Sequence, residues 1–330
     1  MPGTPRIAIA HLNDNPDWAW LLPRSSVPNI WHSYQVGRYE ATNAADRYAS
    51  LRALHHLWRD HDRHAFDLVL SFAPAATLRV GFSSRGAKVR HDAFAFNFTD
   101  LPGRMKRLAY RQSLGTVDRA YVLTEAERSL YARTFGVPQG RFVKIDWGVA
   151  PPEPAPARRI EGDYVSALGG EARDYTTLFE AARRLPTTQF AVVARPHNLV
   201  GLDRPANVAT FENLSKSEAW AIVSNSIVHV LPLRSRDTPC GIVTLVGAMH
   251  VGLAQVVTRA VGVQDYAHDG EHAVYVPPVD PAALADAIGA LTRDQRRRAE
   301  MGRSAKKRAA ARYDESATLR FAERLVASIG

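Results

Sequence analysis

The residues best placed for chemistry lie in a glycine-led stretch of the C-terminal half. An apolar run, Ile227–Leu233, is typical of a buried parallel strand. A polar turn and Gly241 follow it, and then come apolar residues at helical spacing, Val243, Val246 and Met249. A helix that begins after a strand and a glycine turn presents unpaired backbone N–H groups, which suit a phosphate. The alternative is an ordinary strand–helix unit that only packs into an α/β core.

A second glycine turn occurs earlier in the same half. The predicted strand Tyr164–Leu168 leads into Gly169 and Gly170, where a backbone without side chains can approach a ligand closely. Arg173 follows in the same loop, and a guanidinium group can pair with a phosphate through two parallel hydrogen bonds. Pairing of Arg173 with a surface carboxylate is the alternative. Two such turns on one sheet predict a phosphate site there.

Composition limits the classes of protein to consider. The 330 residues suit two domains, and 46% hydrophobic with 23% charged residues are globular values. Cys240 is the one cysteine, which excludes a disulfide framework and fits a reducing compartment. The N-terminus shows no signal-peptide pattern and no apolar run reaches bilayer length, so we expect a cytoplasmic protein. The net charge of +9 favours acidic partners, namely nucleotide diphosphates, anionic lipid or nucleic acid.

The order of predicted elements indicates the fold class. Strands alternate with helices throughout, which predicts parallel, doubly wound α/β sheets. We expect an N-terminal Rossmann-like domain over residues 1–150, a proline-rich linker over 151–162 and a second Rossmann-like domain over 163–312. The final helix, in 313–330, either crosses back to the first domain or packs on the second domain, which it follows in the chain.

Several landmarks of the C-terminal half recur in a familiar order. The Gly241-led helix is followed by a strand at Gln255–Thr258, an Asp-Gly turn at Asp269, and the run Val-Pro-Pro-Val-Asp that ends at Asp280. This order resembles the retaining, GT-B-fold glycosyltransferases of the family 4 type. The resemblance covers Asp163 to the C-terminus well and the N-terminal half loosely.

The resemblance implies a fold and an activity. The fold would be GT-B, two Rossmann-like domains facing each other across a cleft. The activity would be retaining transfer of a hexose from a nucleotide-diphosphate sugar to a hydroxyl of a saccharide, lipid-linked or metabolite acceptor, as in polysaccharide biosynthesis. No cofactor is implied, and the sequence shows no His/Cys cluster with zinc spacing, so we expect a metal-independent enzyme. One alternative is a non-catalytic partner subunit of the same fold. A remote one is a nucleic-acid-binding protein, which the charge alone suggests and no motif supports.

The resemblance also places residues against the donor. Arg173 takes the position of a family lysine, whereas the usual arginine position holds Gly170 or Glu171, so the diphosphate would have one cation fewer. The nucleotide base would lie near His197 and Phe211. The implied donor-binding residues are Gly169, Gly170, Arg173, His197, Phe211, Thr238, Cys240, Gly241, Ile242, Val243, Thr244 and Gly247.

Two departures from the family pattern fall inside this pocket. Family members commonly carry two glutamates eight positions apart, and these positions hold Pro239 and Gly247 here. The second glutamate usually holds the ribose, so Gly247 would face the ribose from inside its helix. The first lies near the donor sugar, and Asp237 is the nearest carboxylate that could act there as a catalytic group.

The N-terminal half offers one candidate catalytic residue. His91, followed by Asp92, is predicted at the end of a strand over 87–92 and resembles the family histidine beside the transferred sugar. The alternative is a histidine that forms hydrogen bonds within its own loop and has no catalytic role.

A basic helix is predicted over Pro102–Leu114. Its apolar residues Met105 and Leu108 alternate with cations, which is typical of a helix that lies on an anionic membrane surface and would place the enzyme at the inner membrane face. A solvated helix with one face in the core is the alternative. The cations are Arg104, Lys106, Arg107 and Arg111.

Overall fold

A computed structural model describes residues 4–12, 22, 24–38, 43–84, 86–153, 160–234 and 238–329. The chain forms two compact units. The N-terminal unit comprises residues 1–147 and 316–330, and the C-terminal unit comprises 148–315. The segment predicted as a linker, 151–162, therefore falls within the C-terminal unit, and its central part, 154–159, lies outside the described residues.

The N-terminal unit is a six-stranded parallel sheet with the order β2-β1-β3-β4-β5-β6. Strands and helices alternate after β2. Its elements are β1 (Arg6–His11), β2 (Ile30–Gln35), α1 (Ala44–His64), β3 (Leu68–Phe72), α2 (Pro74–Ser83), β4 (Arg90–Phe94), α3 (Arg104–Leu114), β5 (Arg119–Val122), α4 (Glu125–Phe135) and β6 (Phe142–Lys144).

The C-terminal unit holds a second six-stranded parallel sheet, in the order β12-β11-β10-β7-β8-β9. The last helix leaves this unit. The elements are β7 (Tyr164–Leu168), α5 (Tyr175–Arg183), β8 (Gln189–Val193), β9 (Val208–Phe211), α6 (Lys216–Ser224), β10 (Val228–Leu231), α7 (Ile242–Val251), β11 (Gln255–Thr258), β12 (Val274–Val276), α8 (Pro281–Arg293) and α9 (Gln295–Arg312). Helix α10 (Glu315–Ala327) follows and belongs to the N-terminal unit.

Local sequence explains where several helices begin. Thr124 and Glu127 form a reciprocal capping box at the start of α4, and Ser215 and Glu218 form another at α6. Both follow the sequence pattern Ser/Thr-x-x-Glu, which is typical of a helix start. Each satisfies backbone N–H groups that would otherwise be unpaired at the helix start. The strands between the helices are nearly all apolar because both faces of a parallel sheet are covered.

Helix α10 completes the core of the N-terminal unit. Phe321 stacks on Phe94 at 5.2 Å between ring centroids and meets the Tyr121 ring edge-on at 4.7 Å. Leu325 and Val326 are buried in the same cluster as the strand residues of β1 and β3. The final helix thus packs on the first sheet, one of the two arrangements that the sequence left open.

No described helix is long and apolar enough to cross a bilayer.

Candidate functional site

The candidate site lies at the carboxyl edge of the C-terminal sheet. Strand β7 opens this unit and lies between β10 and β8, so the chain order runs outward from it in both directions. Ligands of open α/β sheets bind at such a switch point, beyond the carboxyl ends of the strands. The loop after β10 is tied to the loop after β7, since Arg234 N donates to Ala172 O at 2.8 Å. The two loops that carry the predicted glycine turns therefore adjoin.

Gly169 leaves room for an arginine. Its φ is +132°, and a Cβ built on it would lie 2.4 Å from Nη2 of Arg173. Both the backbone conformation and the available space therefore require glycine. Tyr175 stabilises the turn, because its hydroxyl donates a hydrogen bond to Gly169 O at 2.6 Å.

Arg173 carries a charge that forms no hydrogen bond to a carboxylate within the described chain. Its guanidinium donates to Leu168 O at 3.1 Å, Glu171 O at 2.8 Å and Thr244 Oγ1 at 3.0 Å, all uncharged oxygens. Among the described residues none of its hydrogen bonds reaches a carboxylate. Burial lowers the pKa of the guanidinium, which still stays charged at neutral pH. A desolvated cation without a counter-charge is typical of an anion-binding site.

The start of α7 faces the same cation. Gly241 caps the helix with φ +79° and has no side chain to accept from the first N–H groups. Thr244, in the first turn, receives the hydrogen bond from Arg173. The positive end of the helix dipole and the guanidinium thus lie together, which favours an anion with several oxygens, such as a diphosphate.

Arg195 is a second cation at this edge that the sequence analysis missed. It follows β8, and a Cβ on Gly170 would lie 3.1 Å from its Cδ. Its Nη1 is 3.9 Å from Glu171 Oε1, and the neighbouring Asn198 donates to Gly170 O at 2.8 Å. The expected shortage of one cation is therefore offset by an arginine from the next loop. Its position directly after a buried strand was the signal that could have revealed it.

The other predicted donor residues differ in their accessibility. His197 is exposed beyond β8, whereas Phe211 is partly buried against the core beneath β8. Thr238 and Cys240 are buried, with 3.9 Å between Oγ1 and Sγ, so they shape the loop. In the first turn of α7, Ile242 is buried and Val243 is 52% exposed. Asp237 lies outside the described residues.

The predicted placement of Gly247 is wrong. A Cβ on Gly247 would lie 2.3 Å from Cη2 and 2.5 Å from Cζ2 of Trp220, which belongs to α6. Gly247 is therefore the contact point between α6 and α7, and it faces an indole ring instead of a ribose. The family glutamate has no room at this position.

The predicted placement of His91 is wrong as well. His91 is the second residue of β4, which extends to Phe94, so it lies near the amino end of the strand and away from the carboxyl edge. Its Nε2 is 2.8 Å from Ser71 Oγ, and the side chain is buried. Burial lowers the pKa of His91 to about 4, so the imidazole is neutral at pH 7. It is a core residue and lies away from the edge of the sheet at which ligands of such folds bind.

One group of potential metal ligands was also missed. His268, Glu271 and His272 bring one ligand atom each within 4.8 Å of one another. His272 Nδ1 accepts from His268 N at 3.0 Å, which fixes its proton on Nε2, the nitrogen that faces Glu271. Lys307 and Arg308 line the same cavity and repel a cation. These contacts favour a hydrogen-bonded turn over a metal site.

We expect Gly247→Ala to lower the free energy of unfolding by about 1–3 kcal/mol, because the added methyl overlaps the Trp220 ring. Urea denaturation measures the loss. Gly289→Ala in α8 is the matched control, because its Cβ would meet mainly the flexible end of Arg293, at 3.1 Å. Alanine is also a better helix former than glycine, so the free energy of unfolding should stay the same or rise. Combining Gly247→Ala with Trp220→Phe should recover part of the loss. Equal stability of the two alanine variants would contradict the contact.

Comparisons with known proteins agree with this architecture. The sequence model described as "Glycosyl transferases group 1" matches residues 201–308. No curated protein sequence gives a significant match. The chain is similar in structure to a sucrose-phosphate synthase from Thermosynechococcus elongatus, with a TM-score of 0.77 and 14% identity over 98% of this chain and 99% of that one.

Two further solved structures are similar over nearly the whole chain. Anabaena HepE, in complex with UDP, gives a TM-score of 0.70 at 13% identity, covering 98% of both chains. WaaG, a glycosyltransferase involved in lipopolysaccharide biosynthesis, gives 0.65 at 14% identity, covering 96% of this chain and 99% of that one. Similarity at such identities concerns the fold. The chain has the GT-B fold, with two parallel α/β sheets and flanking helices.

Proposed function

We propose that this protein is a glycosyltransferase that moves a hexose from a nucleoside-diphosphate sugar to an acceptor hydroxyl. The observation that carries the proposal is the Arg173 guanidinium, which is hydrogen-bonded to Thr244 at the start of α7 and to no carboxylate among the residues described. A diphosphate would supply the missing negative charge. The matched sequence model lends support, as does HepE, which has been solved with UDP-glucose.

The geometry suits a leaving diphosphate. In the transfer, the bond from the anomeric carbon to the phosphate oxygen breaks and a bond to the acceptor oxygen forms. Arg173, Arg195 and the start of α7 would stabilise the charge that develops on the departing oxygen. That oxygen can take the acceptor's proton on the same face of the sugar, so the reaction retains the anomeric configuration and needs no protein nucleophile. Catalysis is then positioning and electrostatics.

One observation favours a second candidate, a non-catalytic partner subunit. The space that a ribose-binding glutamate would need at position 247 is filled by Trp220. A chain of this kind would bind nucleotide weakly and transfer nothing. Release of UDP from UDP-glucose, with and without added sugar acceptors, distinguishes the two: sustained release supports the enzyme, and binding without release supports the partner subunit.

We expect Arg173→Gln to weaken UDP binding by about 1.5–3 kcal/mol, the value of a hydrogen bond to a charged group. Calorimetric titration measures this loss. The melting temperature should not fall, because the variant removes a desolvated charge that has no counter-charge in the described structure. Arg183→Gln is the control, since Arg183 forms surface pairs with Glu180 and Asp203. Unchanged affinity in Arg173→Gln would remove this residue from the site.

Activity should not depend on a divalent metal, because the two arginines and the helix start take the place of a metal bridge to the diphosphate. We therefore expect EDTA to leave the initial rate unchanged after the protein has been treated and desalted. Abolition of activity by EDTA, with recovery on adding manganese, would contradict this part of the proposal.

We further propose that α3 touches an anionic membrane surface, as an enzyme with a lipid-linked acceptor requires. Met105 is 81% exposed and Leu108 is 62% exposed, which is unusual for large apolar side chains one turn apart. Exposed Arg104, Lys106 and Arg111 surround them. Tyr110 does not share this surface, because it lies in the core.

The double variant Met105→Ser with Leu108→Ser should bind phosphatidylglycerol vesicles at least about tenfold more weakly than the unaltered protein, since two apolar side chains no longer enter the interface. Co-sedimentation measures the binding, and neutral phosphatidylcholine vesicles serve as the reference. Val200→Ser, which alters an exposed valine of the C-terminal unit, is the control. Equal binding by the double variant would show that α3 is simply solvated.

A further inference from the structure

The N-terminal unit contains a second guanidinium that has no carboxylate partner among the described residues. Arg79, in α2, is partly buried, and its one hydrogen bond among the described residues joins Nη1 to Ala75 O at 3.5 Å. Burial lowers the pKa of this guanidinium, and no nearby carboxylate opposes that effect within the part of the chain that the structure describes. Charged groups withdrawn from water are ordinarily paired, so this position is suited to an anion from outside the chain.

The position of the guanidinium is defined by two strand ends. A Cβ built on Gly37 would lie 2.7 Å from Arg79 Cζ and 3.0 Å from Leu12 Cδ2. Leu12 follows β1 and Gly37 comes shortly after β2. The head group therefore lies at the carboxyl edge of the first sheet, where β1 is flanked by β2 and β3. This is the switch point of the N-terminal sheet, where open α/β sheets bind ligands.

Two further groups add to the positive character of this edge. The contact with Ala75 O turns the Arg79 side chain back toward the start of α2, which has no side-chain cap because Ala73 precedes Pro74 there. Tyr110 of α3 is electrostatically coupled to Arg79, and burial raises the pKa of its phenol to about 12, so the phenol keeps its proton. Its hydroxyl has no hydrogen-bond partner among the described residues and remains a donor.

We propose that Arg79 binds an anionic oxygen group, a phosphate or a carboxylate, carried by the acceptor of the sugar. That the anion belongs to the sugar acceptor depends on the function proposed above, whereas the anion site itself is inferred from the N-terminal unit alone. Gly37 is part of this site because it leaves the space in which the guanidinium lies. The acceptor is thus a sugar phosphate, an acidic sugar or a phosphate-linked lipid, and a neutral sugar is a poor substrate.

The test is a calorimetric titration with glucose 6-phosphate, glucuronate, inorganic phosphate and glucose, performed with saturating UDP so that the donor site is filled. We expect the three anions to bind and glucose not to bind. Arg79→Gln should weaken anion binding about tenfold or more. Gly37→Ala should do the same while keeping the net charge, since its methyl displaces the mobile guanidinium at little cost in stability. Arg52→Gln, an exposed change on α1 of the same net charge as Arg79→Gln, is the control.

The outcomes separate this proposal from the proposed function. Equal anion affinity in the unaltered protein and in both Arg79→Gln and Gly37→Ala would overturn it, as would absence of anion binding when UDP binds normally. Absence of UDP binding by the unaltered protein would instead overturn the donor site, and the titrations would then be repeated in Arg173→Gln, where that site has lost its buried cation. Preference for glucose 6-phosphate over glucuronate would identify the anion as phosphate, and the reverse would identify it as carboxylate.

Discussion

A guanidinium held away from water, with no hydrogen-bonded carboxylate in the part of the chain that the structure describes, is the constraint that organises the C-terminal unit. Arg173 is fixed by three uncharged oxygens, from the end of β7, the loop after it and the first turn of α7, so these segments must keep their positions for the charge to be tolerated. Gly169 follows from the same constraint, because any side chain there would overlap the guanidinium. A protein that accepts such a charge loses stability in the free state and recovers it when a ligand supplies the anion.

The two units use the same arrangement in different loops. In each sheet the first strand is flanked on both sides, and a guanidinium lies at the carboxyl edge in the space left by a glycine. The distances from a hypothetical Cβ to the nearest guanidinium atom are 2.7 Å at Gly37 and 2.4 Å at Gly169. The parallel extends into the cores, where Ser71 contacts buried His91 and Ser166 contacts buried His229. Those histidines are neutral because burial lowers the pKa of His91 to about 4 and of His229 to about 3.

Local patterns predicted most of the architecture, and contacts distant in sequence explain the failures. Apolar runs located the strands, and the capping boxes at Thr124 and Ser215 located two helix starts, because each depends on residues that are neighbours along the chain. The strand that holds His91 was placed too early, because its buried continuation through Phe94 resembles a loop of mixed aromatic residues. In the Gly247–Trp220 contact, the indole of one helix packs into the space left by the glycine of another. The spacing of apolar residues within either helix does not predict such a contact.

Trp220 fills the space beside Gly247, and this changes how a nucleotide would be held. A ribose-binding glutamate contributes short-range, directional hydrogen bonds, which select a nucleoside by its shape. With Trp220 in that space, the groups left to bind a donor would be Arg173, Arg195 and the start of α7, all of which would act on the diphosphate through charge. Arg195 is exposed, so dissolved salt would screen its attraction for a diphosphate. Arg173 is buried, so salt would screen its attraction much less. On the proposed function, affinity therefore depends mainly on the diphosphate common to all donors, and selectivity among nucleosides must come from contacts beyond β8 and β9, near His197 and Phe211.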